Sequence, residues 1–377
     1  MNAPGRVPSL TGMRWLAALS VFAFHAFFGP DIFPGKVFSD FVVFTASKAG
    51  YIGVAFFFML SGFVLTWSAR PDDTAPKFWR RRFFKIWPNH VVTLLVAVAV
   101  LTYAAIPVRN VIPNLLLVQA WSPDPEVAFS VNGVSWSLSC EVFFYLCFPL
   151  WLTLINRLRP ERLWYWAGGV VVAVLCVPLA APLLPDNPVL PWEPTPIWEY
   201  WSVYLFPVTR MLEFVLGILL ARIVLSGRWL NVNLWVAGAT VVAGYVAALF
   251  LPYYYGFAAA TVIPFALVIP AAAVADIQGR RSWLGSPVMV WLGTISFAFY
   301  LLHRLTLATA VGVFGRDFAW NTTSAIGIVV VALAVTIVLS WILYTFVEKP
   351  MLRRFATSTS SSSSGRTTPA SRQHSPS

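Results

Sequence analysis

Charge is scarce in this sequence. Asp, Glu, Lys and Arg make up only 11% of its 377 residues, against about 25% in soluble domains. Hydrophobic residues reach 58%. Such a chain has too little polar surface to cover a water-soluble core, which excludes a soluble globular enzyme and leaves lipid as the solvent. Acid is scarcer than base: 15 Asp and Glu stand against 26 Lys and Arg, a net charge of +11. Cysteine is nearly absent. Cys140, Cys147 and Cys176 lie in apolar stretches. Their odd number and irregular spacing exclude a disulfide framework and a zinc-ligand pattern, so they read as small apolar side chains and no metal is expected. A small-residue cleavage site is also lacking near the N-terminus. The first apolar run carries Arg14 and His25 and reads as a membrane helix rather than a cleavable leader.

What is abundant is long apolar runs and aromatics, the latter 16% of the chain with 18 Trp, as suits membrane interfaces. A spanning helix needs about 20 mostly apolar residues. That ruler predicts ten spans, at 11–29, 49–68, 90–106, 135–155, 163–184, 202–224, 229–251, 256–275, 287–307 and 324–347. The segment 111–121 is too short to cross and reads as re-entrant or interfacial. The expected fold is an all-α integral membrane protein, with about ten transmembrane helices in one bundle. Residues 1–9 form an N-terminal cytoplasmic segment, 10–355 the membrane domain, and 356–377 a Ser/Thr-rich tail too polar to bury a core. No repeat of the transporter kind is evident.

Lys and Arg in short loops set orientation. With the N-terminus cytoplasmic, nineteen of the 26 fall on the inner side, the densest group being Arg70, Lys77, Arg80, Arg81, Arg82 and Lys85. Only Lys36, Lys48, Arg109, Arg304 and Arg316 fall outside. Both termini are then cytoplasmic, and the protein is expected as a multi-pass protein of the plasma membrane. Topology accounts for the net charge, so nucleic acid is not an expected partner; the lipid bilayer is.

Ionisable residues inside a bilayer are costly and mark function by default. Arg14 and His25 stand eleven residues apart, about 1100° around a helix, so they share a face with about 16 Å of rise between them. Imidazole is a base of suitable strength near neutral pH; the plainer alternative has His25 bonding backbone and Arg14 snorkelling to the interface. Glu141 forms an i, i+4, i+8 stripe with Ser137 and Tyr145. Its depth on an oppositely directed helix suggests that it partners His25, as a carboxylate orients an imidazole in familiar triads. Arg210 and Glu213, three apart, read as an internal ion pair. His303 reads as interfacial if its helix ends near 307. Ser61-Gly62, in an aromatic run, permits close backbone approach. Arg81, Arg82 and Lys85 gather on one helix face if helical, either as topology determinants or as a diphosphate site.

These residues fall in an order that resembles the membrane-bound acyltransferase family 3, the O-acetylase-like integral membrane acyltransferases. The Arg-x10-His pair is matched by Arg14 and His25. The Phe-Phe-x-x-Ser-Gly-Phe element is matched by Phe57, Phe58, Ser61, Gly62 and Phe63. The basic Arg-Ile-x-Pro stretch is matched by Arg81, Arg82, Ile86 and Pro88, with Lys85 where Arg is usual and His90 where Tyr is common. Trp136 to Glu141, followed by Tyr145 and Pro149, is similar to the Trp-Ser-Leu-x-x-Glu element. Arg210, Glu213, Phe214 and Gly217 fit the sixth helix. Gly293, Ser296, Tyr300, Leu301 and His303 fit a late element, and Phe346 to Pro350 the end of the last helix. The resemblance implies transfer of an acetyl or short-chain acyl group from acyl-CoA, as co-substrate, to a hydroxyl of a glycan or glycosylated small molecule. It implies His25 as catalytic base with Glu141 beside it. Arg14, Arg81, Arg82 and Lys85 would then bind the donor, with Ser61, Tyr145, Arg210, Glu213 and His303 in support. The opening Pro8-Ser9-Leu10-Thr11-Gly12-Met13-Arg14 is similar to the antibiotic-modifying branch, whose acceptors are macrolides.

Two other classes use intramembrane charge. A transporter or flippase of a lipid-linked or glycosylated substrate would need no acyl-CoA. A scaffold would leave His25 and Glu141 without a purpose.

Overall fold

The computed structural model describes residues 5–28, 37–70, 73–100, 107–314 and 320–356. Lys36, Arg316, Arg366 and Arg372 of the charge count, and the tail 357–377, lie outside the described residues. Apolar runs become helices because a chain in lipid must satisfy its own backbone N–H and C=O groups. Ten long helices lie among the described residues: α1 Pro8–Phe27, α2 Ala49–Trp67, α3 Ala75–Val100, α4 Trp136–Asn156, α5 Leu163–Ala180, α6 Pro207–Leu225, α7 Leu234–Phe250, α8 Val262–Ile277, α9 Pro287–Phe314 and α10 Thr322–Leu343. Eight helices, excluding α6 and α7, are long and apolar enough to cross a membrane. The remaining pair deviates for visible reasons. Helix α7 has 17 residues, and α6 carries Arg210, Glu213 and Arg222. The protein is thus a helical membrane protein, with eight helices of clear crossing character where the sequence suggests ten.

Local chemistry starts several helices. Proline occupies the first turn of α1 and of α6, where its missing N–H costs nothing. Asn233 caps α7, and Asn321 with Ser324 forms a capping box at α10.

Contacts between helix ends show the chain running up and down. At one end Trp67 donates to the Gly5 carbonyl at 3.2 Å, Arg80 to the Phe355 carbonyl at 2.8 Å, and Ser9 to Asp276. At the other, Tyr253 donates to Glu193 at 2.8 Å and Thr322 to the Val37 carbonyl at 2.8 Å. The first end is the one with the basic clusters, and we call it the inner end.

Two close crossings hold the centre. At Gly62 of α2 an added Cβ would lie 2.0 Å from the Phe214 carbonyl oxygen of α6, and at Gly217 of α6 one would lie 2.0 Å from that of Met59. At Gly293 of α9 a Cβ would lie 1.8 Å from the Thr11 carbonyl oxygen of α1. Only glycine permits such backbone approach, which is how helices associate where lipid removes the hydrophobic drive. The first crossing seats α2 against α6, and Gly53 of α2, where an added Cβ would lie 2.9 Å from the Ala17 carbonyl oxygen, seats it against α1; Phe58, Met59 and Phe63 are fully enclosed.

Two expectations change. The third helix begins at Ala75 rather than near residue 90, so the basic stretch forms its first turns and Pro88 lies inside it. Hydropathy hides such a start, because the charges dilute the apolar signal. The ninth helix continues to Phe314, which leaves His303 buried within it rather than interfacial. The segment 111–121 forms no spanning helix; it holds the end of a short helix, Val108–Leu115, and the turn Gln119–Trp121.

Candidate active site

Two cavities lie in series along α1. The inner one, of about 110 Å³, is lined by Arg14, Ser61, Arg82, Lys85, Ser137, Glu141 and Tyr145 among others. The outer one, of about 440 Å³, holds His25 and Arg304 within walls of Tyr51, Trp136, Trp192, Tyr200 and Tyr204. Val54 and Tyr300 line both. The eleven-residue spacing therefore does what helix geometry requires: one face of α1 delivers a guanidinium to the inner cavity and an imidazole to the outer one.

The inner cavity takes polar groups from α1, α2, α3, α4 and α9. The Ser137, Glu141, Tyr145 stripe of α4 faces it as a unit. Tyr145 donates to Glu141 Oε2 at 3.1 Å, Ser61 Oγ lies 3.4 Å from the Tyr145 hydroxyl, and Ser137 Oγ is 2.8 Å from that of Tyr300. The basic residues of α3 are helical, and they separate by partner. Arg81 forms an ion pair with Asp73. Lys85 Nζ lies 3.0 Å from Glu348 Oε1, and Asn89 donates to the other oxygen of Glu348 at 2.7 Å. Arg82 lies over the Phe78 ring at 5.5 Å, and its Nε is buried without a hydrogen-bond partner. Among the described residues neither Arg14 nor Arg82 has a carboxylate within ion-pair distance. Both face the inner cavity without a direct ion pair, and Glu141 is the carboxylate that shares the cavity with them.

His25 takes a different partner from the one expected. Its Nδ1 lies 2.9 Å from the Val21 carbonyl oxygen and 3.1 Å from Nε2 of His303, while His303 Nδ1 lies 2.7 Å from the Tyr300 carbonyl oxygen. One assignment of protons satisfies all three contacts with both rings neutral. His303 Nδ1–H donates to Tyr300, which leaves its Nε2 lone pair to accept. His25 Nδ1–H is shared between the Val21 carbonyl and that lone pair. His25 Nε2 is then unprotonated and takes no hydrogen bond from any described residue. The arrangement makes His25 a base with a fixed tautomer. Glu141 does not perform this orienting role. It lies in the inner cavity, bonded to Tyr145, because α4 begins at Trp136 and five residues of rise carry Glu141 about 8 Å inward.

Arg210 and Glu213 line neither of these two cavities. Their ion pair, at 2.8 Å, is buried in the α6 core, with the guanidinium over the Phe58 and Tyr204 rings. This agrees with the internal-pair reading. Sequence reasoning missed Glu348 and Asp73 as partners of the basic stretch. It also missed Arg304 and the aromatic segment 192–204 as walls of the outer cavity; the density of Trp and Tyr in 192–204 was the available signal. At the outer rim, burial raises the Tyr253 phenol above its ordinary value, so it stays protonated and donates to Glu193. Among the described residues no group of three His, Cys, Asp or Glu is placed to hold a metal ion.

The helical membrane bundle holds an oriented imidazole in the outer of two cavities in series, an arrangement suited to an integral membrane enzyme. Residues 7–345 match the acyltransferase domain of the acyltransferase 3 family, and the chain belongs to that family; it is a multi-pass membrane enzyme that transfers acyl groups. The chain is 42% identical to acyltransferase MdmB of Streptomyces mycarofaciens, over 92% of each chain. It is 24% identical to the peptidoglycan O-acetyltransferase OatA of Listeria monocytogenes, over 92% of this chain and 56% of that longer protein. It is 26% identical to nodulation protein 10 of Rhizobium leguminosarum, over 80% of this chain and 82% of the relative. No solved structure matches the chain.

Proposed function

We propose that this protein is an acyl-CoA-dependent O-acyltransferase of the plasma membrane, with both termini cytoplasmic. In this reading it moves an acetyl or short-chain acyl group to a hydroxyl of a glycan or a glycosylated natural product such as a macrolide. The observation that carries the reading is the pair of cavities in series, cationic at the inner end and basic at His25, meeting at Tyr300 and Val54. Arg82 and Arg14 serve the donor's phosphates, helped by Lys85 and Arg81 at the mouth. The rise of about 16 Å from Arg14 to His25 suits an extended chain between phosphates and a thioester.

In the transfer, His25 Nε2 takes the proton of the acceptor hydroxyl as that oxygen bonds to the thioester carbonyl carbon. The C–S bond then breaks, and the imidazolium returns the proton to the sulfur. His303 accepts from His25 Nδ1–H throughout and eases the transient positive charge. The aromatic walls of the outer cavity suit the apolar face of a sugar ring. The O-acetyltransferase name of the Listeria relative supports a hydroxyl acceptor, and the Pro8–Arg14 opening supports the macrolide class.

Purified protein with radiolabelled acetyl-CoA and a panel of glycosides tests the reading. Ester-bound label in a glycoside, lost in His25→Ala, is the expected result. No transfer to any hydroxyl acceptor, with movement of the glycoside across the bilayer instead, would establish a transporter.

A further inference from the structure

A third cavity, of about 780 Å³, lies between α1, α2, α7 and α8, on a face of α1 about 120° around from that of Arg14 and His25. Its walls include Leu16, Ile52, Phe56, Val242 and Phe265, and no acidic side chain lines it. Arg280 and Arg281 stand at its inner end beside Trp283. Neither arginine has a carboxylate within ion-pair distance among the described residues; Arg280 donates to the Gln278 side chain. Asp276, the nearest carboxylate in sequence, is occupied by Ser9, whose N and Oγ donate to it at 2.8 and 2.6 Å.

The depth of this groove is informative. Along α7 it runs from Leu234 to Tyr245, eleven residues and about 16 Å. That is close to half of the roughly 30 Å hydrocarbon thickness, hence one leaflet. Trp235 and Trp283, 75% and 52% exposed, mark the headgroup level at its inner end. Val242, 66% exposed, opens its side to lipid. A cationic headgroup end above an apolar slot one leaflet deep matches a single lipid with a negative headgroup.

We propose that this groove is a binding site for an anionic glycerophospholipid. Its phosphate rests on Arg280 and Arg281, and an acyl chain lies along Leu16, Ile52, Phe56 and Val242. A polyprenyl phosphate, longer than a leaflet, fits the depth less well. The lipid would brace the flank of α1 on Leu16, Ala17 and Ser20, while another face of the same helix presents Arg14 and His25.

Native mass spectrometry of the delipidated full chain tests this, with phosphatidylglycerol and phosphatidylcholine of matched acyl chains as probes. One phosphatidylglycerol is expected to be retained about tenfold more strongly than phosphatidylcholine, and Arg280→Gln with Arg281→Gln is expected to abolish that preference. Gly238 lines the groove, and a Cβ there would meet nothing within 4 Å. Gly238→Phe therefore fills the slot without a backbone clash, and is expected to lower retention of both lipids while the melting temperature is kept. Equal retention of the two lipids, a preference unchanged by Arg280→Gln with Arg281→Gln, or retention unchanged in Gly238→Phe would overturn the assignment. So would displacement of phosphatidylglycerol by undecaprenyl phosphate at equal concentration.

Discussion

His303 Nε2 lies 3.1 Å from His25 Nδ1, and each ring also holds a backbone carbonyl one turn earlier on its own helix. A neutral imidazole thereby occupies the place that a carboxylate holds in many triads. In the proposed reading it fixes the tautomer of His25 without burying a carboxylate beside it.

His25→Ala is expected to lower kcat by about 10³-fold or more, since general base catalysis is worth about 10²–10⁴. His303→Ala is expected to lower kcat about 10- to 100-fold with the acyl-CoA KM unchanged. His303→Gln should recover part of the loss, because its amide oxygen can accept from His25 Nδ1–H. Steady-state label transfer reads all three. Equal loss in His303→Ala and His303→Gln would remove the orienting role.

Arg82→Gln is expected to raise the KM for acyl-CoA about tenfold with a smaller change in kcat, as expected when a charge-assisted contact to a bound phosphate is removed. Lys85→Gln is expected to do less, since Lys85 is already committed to Glu348. Titration of initial rate against acyl-CoA in the two variants decides the order.

Breaking the buried Arg210–Glu213 pair from one side leaves an uncompensated charge, at a cost of about 3–5 kcal/mol. Arg210→Met should therefore unfold at a markedly lower temperature than the parent. The double variant Arg210→Met with Glu213→Leu should recover most of the difference. Thermal unfolding followed by size-exclusion chromatography measures both; equal loss in the single and double variants would count against a structural pair.

Gly293→Val places a side chain where even a Cβ lies 1.8 Å from the Thr11 carbonyl oxygen. It is expected to force α1 and α9 apart and destabilise the protein by about 3 kcal/mol. Gly238→Ala, which meets open space, is the neutral control in the same unfolding assay.

The helices were legible because lipid enforces a length and an apolar composition on anything that crosses it. The internal ion pair was legible because an i, i+3 spacing determines proximity within a single helix. Relations between helices were harder to read. Whether Glu141 meets His25 depends on which turn of α4 stands level with α1, and that stagger follows from α4 starting at Trp136 after a tight turn. The role of His303 was hidden because the apolar run around it continues to Phe314, leaving the helix end ambiguous in the sequence. The partners of the basic stretch were hidden for another reason: Glu348 lies 263 residues beyond Lys85.

That last contact bears on how the protein can be handled. The last described turns set Glu348 against Lys85 and the Phe355 carbonyl against Arg80, both in the first turns of α3. Trimming the chain before residue 348 thus strips the counter-ion from a lysine at the mouth of the inner cavity, and shortening the protein becomes a change of electrostatic potential where the donor would enter.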